Sequence, residues 1–288
     1  MATTITLPAY AKLNLALYVL GLREDGYHEI VSVVQGIDLA DEVSVTKRED
    51  KNITVETTRP DVPAGEKNIA YKTAAVMQSL FDIPYGFDIF IEKSIPPESG
   101  LGGGSSDAAA VIMAINQLSS LGLGYGKMAK IGAGLGSDVP FFFSTGSALV
   151  SGRGEKVKDI KLPFGYTVII VKPDIGISTE WAYENLKNSL TKPSLDVNFA
   201  SLWGETFFRF LREEARNSFE PVVFSHYPEL RRIKHRLEET GVVHAGLAGS
   251  GSALFAICSD SSQAYTIMKR FKEYYKDVFL CNPLAFRF

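Results

Sequence analysis

Leu13, Leu15, Leu17 and Val19 are apolar, and Asn14, Ala16 and Tyr18 stand between them. A period of two marks a strand with one buried face. Stretches 31–39, 42–46 and 53–57 carry the same strand character, separated by polar turns. The period then changes. Ile69, Ala70, Thr73, Ala74, Met77 and Leu80 fall on one face of a helix over 68–81. A short strand is predicted at 87–92, then a glycine-rich loop, then helices at 107–118 and 125–135. A linker is expected in the polar stretch 152–161, either at Gly152-Arg153-Gly154-Glu155 or in the patch 156–161. Beyond it the pattern predicts strands at 166–171, 242–247 and 253–257, and helices at 179–190, 205–216, 228–240 and 261–274. Strands come in groups beside helices without strict alternation, which predicts an α+β fold rather than a doubly wound sheet.

Composition narrows this picture only modestly. The 288 residues are 45% hydrophobic and 22% charged, an ordinary globular balance with enough chain for a sizeable core. The linker divides them into an N-terminal domain, 1–155, and a C-terminal domain, 156–288. Formal net charge is −3 and no Lys/Arg run dominates, so neither nucleic acid nor a membrane is expected as a partner. The first 21 residues have no basic segment before their apolar part, and Lys12 and Asn14 interrupt them; they read as neither signal peptide nor membrane span. Cys258 and Cys281 are read as two free thiols in a reducing cytoplasm. The expectation is a cytoplasmic protein, monomeric or homodimeric.

Candidate chemistry begins at Ser99-Gly100-Leu101-Gly102-Gly103-Gly104-Ser105-Ser106-Asp107. The loop lacks the lysine of a Walker sequence, and Ser105 stands where a dinucleotide fingerprint needs its third glycine. More general physics remains. Consecutive glycines let backbone N–H groups converge on one hollow, and the following helix adds unpaired N–H groups and its positive dipole end. Ser105 or Ser106 is expected to cap that helix, with Asp107 in its first turn. The same residues also suit a flexible turn leading into a capped core helix.

Two further segments stand out. Lys12 and Asn14 share one face of the first strand. Asp138 lies between Gly134-Leu135-Gly136-Ser137 and Val139-Pro140-Phe141-Phe142-Phe143, at the edge of an apolar wall, with the proline expected to impose extended backbone before it. A second glycine turn, Gly246-Leu247-Ala248-Gly249-Ser250-Gly251, lies near the C-terminus. In this order and at this wide spacing, the set resembles the small-molecule kinase superfamily named for galactokinase, homoserine kinase, mevalonate kinase and phosphomevalonate kinase, the GHMP kinases. The segment Arg23-Glu24-Asp25-Gly26-Tyr27-His28-Glu29 is similar to the branch that phosphorylates 4-diphosphocytidyl-2-C-methyl-D-erythritol in the non-mevalonate isoprenoid pathway. One departure is Pro97-Glu98-Ser99, where the superfamily usually carries glycines.

The resemblance implies a two-domain GHMP kinase fold: an N-terminal ATP-binding domain like that of ribosomal protein S5, a C-terminal ferredoxin-like α/β domain, and an active site in the cleft between them. It implies transfer of the ATP γ-phosphoryl group, with Mg2+, to the 2-hydroxyl of cytidine-diphospho-methylerythritol. Gly100, Leu101, Gly102, Gly103, Gly104, Ser105 and Ser106 would hold the triphosphate, with Ser105 at the metal; Asn68 and Lys93 would serve the adenine. Asp138 would take the hydroxyl proton, and Lys12 would compensate charge on the transferring group. Asn14 would touch the methylerythritol or its diphosphate. Tyr27 and an aromatic of the second domain, Tyr183 or Trp181, would sandwich the cytosine, His28 would read its edge and Thr179 would bond nearby. Three rivals are a homoserine or mevalonate class kinase, which would not need Tyr27 and His28, a non-catalytic nucleotide sensor, which would not need Lys12 and Asp138, and a dinucleotide-dependent oxidoreductase, which the missing third glycine disfavours.

Overall fold

A computed structural model describes residues 3–186 and 202–286. The first strand, β1 (Thr4–Leu22), is longer than its apolar alternation. Burial alternates along its first residues and then becomes continuous from Ala11 to Val19, so both faces are covered and the face carrying Lys12 and Asn14 is not solvated. β2 (His28–Lys47) runs unbroken through the stretch read as a turn between two strands. The apparent break is at Asp38 and Asp41. Asp38 accepts from the Asn282 backbone (2.8 Å) and Asp41 accepts from the backbones of Ser94 and Ile95 (2.6 and 2.8 Å), so both acids are strand residues with distant partners.

The chain forms two units that are interleaved in sequence: residues 1–11, 39–97 and 102–144 make the first, and residues 12–38, 98–101 and 145–288 make the second. In the first unit, β3 (Ile53–Thr57) and β4 (Phe87–Glu92) are parallel neighbours. Parallel strands need a crossover, which α1 (Ile69–Leu80) supplies. β4 pairs antiparallel with the second half of β2. The core consists of Val43, Val45, Phe87, Ile89 and Ile91 from the sheet, with Ala70, Ala74 and Met77 of α1 and the apolar run of α2 (Gly103–Leu118). α3 (Tyr125–Ala133) follows, then a 3-10 helix (Val139–Phe143) that buries its three phenylalanines. Pro140 sits in the first turn of this helix, where its missing N–H costs nothing, so the backbone before it is not extended.

The second unit contains two sheets. The first half of β2 pairs with β5 (Ser147–Gly152), which pairs with β6 (Lys156–Asp159). The polar stretch read as a linker is therefore a hairpin; Gly152 and Gly154 take positive φ in its turn, and the polar residues of β6 reflect exposure on one edge. The second sheet is antiparallel in the order β10-β7-β9-β8, built from β7 (Thr167–Lys172), β8 (His244–Leu247), β9 (Leu254–Cys258) and β10 (Asp277–Cys281). The helices α4 (Thr179–Glu184), α5 (Glu205–Glu213), α6 (Glu220–His226) and α7 (Pro228–Glu238) separate β7 from β8, and α8 (Ser261–Lys272) separates β9 from β10. This is a doubled β-α-β arrangement of the ferredoxin kind. Apolar residues of β7, β9, α7 and α8 make its core, including Ile169, Val171, Leu254, Ile233 and Phe271. A last strand, β11 (Pro283–Leu284), pairs with β2. The helix expected over 179–190 ends at Glu184, and residues 187–190 lie outside the described residues. Cys258 and Cys281 are both free and buried. Among the described residues no helix is long and apolar enough to cross a membrane.

The parallel pair depends on one close approach. Gly86 donates to Asp50 O (2.5 Å), and a Cβ on it would stand 1.8 Å from Asn52 O. Gly86→Ala must therefore displace backbone, and we expect it to destabilise the protein by about 1–3 kcal/mol or more, the range for overpacked sites. A denaturant midpoint equal to wild type would show that the β3–β4 entry is not constrained in this way.

Candidate functional site

In the first unit, the glycine loop delivers the N-terminus of α2. Gly102 is its cap residue in the left-handed region (φ 75°), and no side chain caps it. Ser106 N already bonds Gly102 O (2.9 Å), so the unpaired donors are those of the first turn, Gly103, Gly104 and Ser105. Ser105 and Ser106 are thus inside the helix rather than at its cap, because αL geometry favours glycine at the boundary and moves the helix start forward. Asp107 falls beyond the first turn.

Three segments of this unit meet around Ile69. Its Cγ2 is 3.6 Å from where a Gly104 Cβ would be, and its Cδ1 is 3.9 Å from the same point on Gly136. Ser105 Oγ is 3.8 Å and Val139 Cγ2 3.3 Å from that Gly136 position, so the glycine is closely packed there. Asp138 follows two residues later, half-buried, as the residue that opens the 3-10 helix. Asn68 precedes Ile69 and caps α1: its Oδ1 accepts from Ala70 N (2.9 Å) while its amide donates to Pro63 O (2.7 Å). The helix starts of α1 and α2 and the turn leading to Asp138 are thereby brought together.

Lys93 is buried. Its ammonium donates to Asp41 (2.5 Å) and Asp107 (2.8 Å), and both carboxylates are as buried as the lysine. The structure therefore places Lys93 in an ion cluster at the root of α2 and commits its nitrogen there. Burial, and then the neighbouring Asp41, outweighs the lysine and holds the Asp107 carboxyl well above its ordinary range; Asp107 Oδ1 has no partner. The two carboxylates hold Lys93 above its ordinary value despite its burial.

In the second unit, Lys12, Asn14, the first half of the loop and the second glycine turn assemble. Lys12 N donates to Leu101 O (2.9 Å), and the Lys12 ammonium donates to Asn14 Oδ1 (2.6 Å). Gly100 has φ 77°, and a Cβ on it would lie 1.9 Å from Ala248 O. A Cβ on Gly249 would meet Gly100 O at 2.9 Å and Asn14 Oδ1 at 3.4 Å. Thr179 Oγ1 shares a hydrogen bond with Ser250 Oγ (3.1 Å). Glu98, which replaces a usual glycine, adopts φ 50°. Its carbonyl accepts from Ser252 N (3.1 Å), and its carboxylate lies against the Cα of Gly176, where a Cβ would meet Oε2 at 2.0 Å.

The turn 23–29 is held by Arg23, which bonds both Asp25 oxygens and Glu29 (2.6 Å). Tyr27 is half exposed, with the Arg153 guanidinium 4.9 Å from its ring centre. His28 stacks on Tyr183 with centroids 5.0 Å apart and planes at 27°. Burial lowers the pKa of His28, favouring the neutral ring with one donor and one acceptor. Tyr183 also meets the edge of Phe219 at 4.9 Å, whereas Trp181 packs on His226 and Tyr227.

Two residues of this region were missed by sequence reasoning. Ser32 accepts from Asn14 Nδ2 (2.8 Å), and Asn217 donates to Leu247 O and Gly249 O (2.8 and 2.7 Å), tying down the second glycine turn. Neither sits in a recognisable motif, and only strand register or a long-range turn contact reveals it.

The Lys93 cluster generates a prediction. Lys93→Met leaves two buried carboxylates without their cation and should cost about 3–5 kcal/mol, as breaking buried pairs does. A raised carboxyl pKa means that the native state holds a proton the unfolded chain releases. Stability therefore falls as pH rises from the ordinary carboxylate range towards the higher native value. Asp107→Asn should flatten that slope. Denaturant midpoints across pH check both effects, and identical slopes for wild type and Asp107→Asn would contradict the assignment.

Comparison with known proteins places the chain in a family. Residues 68–146 match the GHMP kinases N terminal domain and residues 204–277 match the GHMP kinases C terminal domain. A 4-diphosphocytidyl-2-C-methyl-D-erythritol kinase of Brevibacillus brevis is 39% identical over 282 residues, covering 98% of this chain and 97% of the relative. One of Bacillus cereus is 38% identical over 280 residues, covering 97% and 96%. The crystal structure of a 4-(cytidine 5'-diphospho)-2C-methyl-D-erythritol kinase superposes with a TM-score of 0.82 at 28% identity, covering 96% of this chain and 98% of that one. That of homoserine kinase from Cytophaga hutchinsonii superposes at 0.76 with 18% identity over 99% and 96%, a likeness of fold alone. The chain belongs to the GHMP kinases, in the family of the 4-diphosphocytidyl-2-C-methyl-D-erythritol kinases.

Proposed function

We infer that the protein transfers the γ-phosphoryl group of ATP to the 2-hydroxyl of 4-diphosphocytidyl-2-C-methyl-D-erythritol. The observation that carries the substrate is the His28–Tyr183 stack beside exposed Tyr27. A kinase of homoserine or mevalonate has no base to stack, whereas neutral imidazole matches the donor and acceptor on the cytosine edge. Tyr183 is the second aromatic of this reading, since Trp181 is engaged by His226 and Tyr227 on the other side of α4. Thr179 and Asn14 line the polar part of the substrate, both beside the second glycine turn.

The triphosphate belongs at the start of α2. Gly103, Gly104 and Ser105 present unpaired N–H groups and the positive dipole end to it, and glycine at 100 and 102 lets the backbone come close. The chemistry is positioning and charge compensation. Asp138 accepts the hydroxyl proton, and Lys12 compensates charge on the transferring group. Asn68 is kept as an adenine contact through the backbone it orders at the start of α1. The Lys93 ammonium is already held by two carboxylates, so we move its role from adenine contact to support of α2. A magnesium ion bound with nucleotide takes most ligands from phosphate and water. Ser105 is in the first turn of α2 beside the unpaired N–H groups, and its Oγ would be the protein ligand of such an ion, which would neutralise phosphate charge. The halves 1–155 and 156–288 are also proposed as domains, since each contains one of the two matched family segments.

Coupled ADP release on cytidine-diphospho-methylerythritol, beside homoserine and mevalonate, tests the reading. Turnover should occur with the first only; turnover on either of the others in its place would overturn it. Asp138→Asn should lower kcat by about 10²–10⁴, the usual contribution of a general base, while nucleotide binding survives. His28→Ala should raise KM for the cytidine substrate about tenfold or more, equivalent to about 1.4 kcal/mol, with KM for ATP unmoved.

A further inference from the structure

Lys12, Asn14 and Ser32 are all buried, and their polar atoms form one chain. Lys12 Nζ donates to Asn14 Oδ1 at 2.6 Å, Asn14 Nδ2 donates to Ser32 Oγ at 2.8 Å, and Ser32 Oγ donates to Ala16 O at 2.6 Å. The chain runs in a single direction for chemical reasons. An ammonium only donates, so it must face the carbonyl end of the amide. The amide nitrogen only donates, so it needs an acceptor on its other side. Ser32 can accept there because its own proton is taken by a backbone carbonyl that no rotation of the side chain removes. Backbone geometry of β1 thus dictates, through Ser32, which way the Asn14 amide points, and the Asn14 carbonyl holds the Lys12 ammonium.

We propose that Ser32 is a positioning residue of the phosphoryl-transfer site, setting the orientation of Asn14 and through it the location of the Lys12 ammonium. The inference rests on the role given above to Lys12. Ser32 is fully buried, so it meets neither solvent nor a ligand from outside. Its hydroxyl serves two hydrogen bonds, one inward from Asn14 and one outward to Ala16, and an alanine supplies neither. Without it the amide nitrogen of Asn14 has lost its acceptor in a buried place, a condition that structures avoid by rotating or admitting water. Either response turns the amide, and a turned amide presents N–H to the ammonium.

The test compares wild type with Ser32→Ala, Ser32→Thr, Asn14→Ala and the Asn14→Ala/Ser32→Ala double variant, measuring kcat and both KM values with melting temperature alongside. Ser32→Ala should lower kcat by about 10–100-fold, the range seen when an outer partner that orients a site residue is removed, with KM for ATP within about twofold of wild type. Ser32→Thr, which keeps the hydroxyl, should recover most of the loss. The double variant should be no slower than Asn14→Ala alone, since Ser32 acts through Asn14. A Ser32→Ala enzyme with wild-type kcat, or a double variant that multiplies the two single losses, overturns the proposal. Should Ser32→Ala not fold, Ser32→Cys, nearly isosteric with a weak donor and acceptor, carries the same comparison. Lys12→Ala separates the two levels: full turnover there sinks the reading of Lys12 itself, whereas loss of turnover there beside an unaffected Ser32→Ala sinks the positioning role alone.

Discussion

Backbone meets backbone at Gly100. Its positive φ and the Ala248 carbonyl leave no space for a side-chain atom, and Gly249 returns the contact against the Gly100 carbonyl. Two glycine-rich segments far apart in sequence, around Gly100 and Gly249, therefore form one layer at a separation only glycines permit. The strand bearing Lys12 and Asn14 is fastened to the same layer, by the Lys12 amide on Leu101 O and by the approach of Gly249 to Asn14. Asn217 closes it from the other side by bonding two carbonyls of the second turn. The chain leaves this layer at Leu101 and enters α2 directly through Gly102. The glycines of this layer serve close packing as much as freedom of φ.

A helix N-terminus attracts an anion only if its surroundings do not oppose it. Two buried carboxylates lie at the root of α2, and one lysine lies between them. Fully ionised, the cluster would carry a net negative charge behind the very donors proposed to hold a triphosphate. Burial resists that state by raising the Asp107 carboxyl, and a proton held on Asp107 brings the cluster towards neutrality. Lys93 Nζ lies 3.4 Å from the Gly103 Cβ position, so this charge balance is struck directly beside the first turn of α2.

Much of this protein was legible before its structure. The strands at 53–57 and 87–92 have the bounds read from hydrophobic pattern alone, because each is short, isolated by turns and half-buried. β2 was not, because Asp38 and Asp41 interrupt its apolar run and find their partners more than fifty residues away, a pairing no local window contains. α6 was missed for a related reason: Glu220-Pro221 reads as a loop, whereas proline belongs in a first turn. β10 carries too short an apolar run, after a helix, to stand out. At the candidate site, residues with unusual chemistry for their surroundings, Lys12 in an apolar strand or Asp138 before three phenylalanines, announced themselves. The residues that hold them did not. Ser32 and Asn217 are ordinary polar residues whose meaning comes from register and from a contact across the fold.

The framework and the specificity surface occupy different kinds of structure. Glycines 100, 249 and 102 are bound by sterics, and a fold similar to this one is found at 18% identity in a homoserine kinase. The proposed base-reading residues lie on a turn, 23–29, and on the one-and-a-half turns of α4, neither of which carries that steric load. The turn keeps its shape by its own means, Arg23 clamping Asp25 and Glu29. On α4, residues two apart point to nearly opposite sides, about 200° around the axis. Tyr183 accordingly turns to His28 and Phe219, and Trp181 to His226 and Tyr227. Shifting α4 by one residue would exchange neither aromatic cleanly for the other, so the register of this short helix selects which ring faces His28. Ser178, whose hydroxyl accepts from Trp181 N at 3.1 Å, sets that register by capping the helix where it begins.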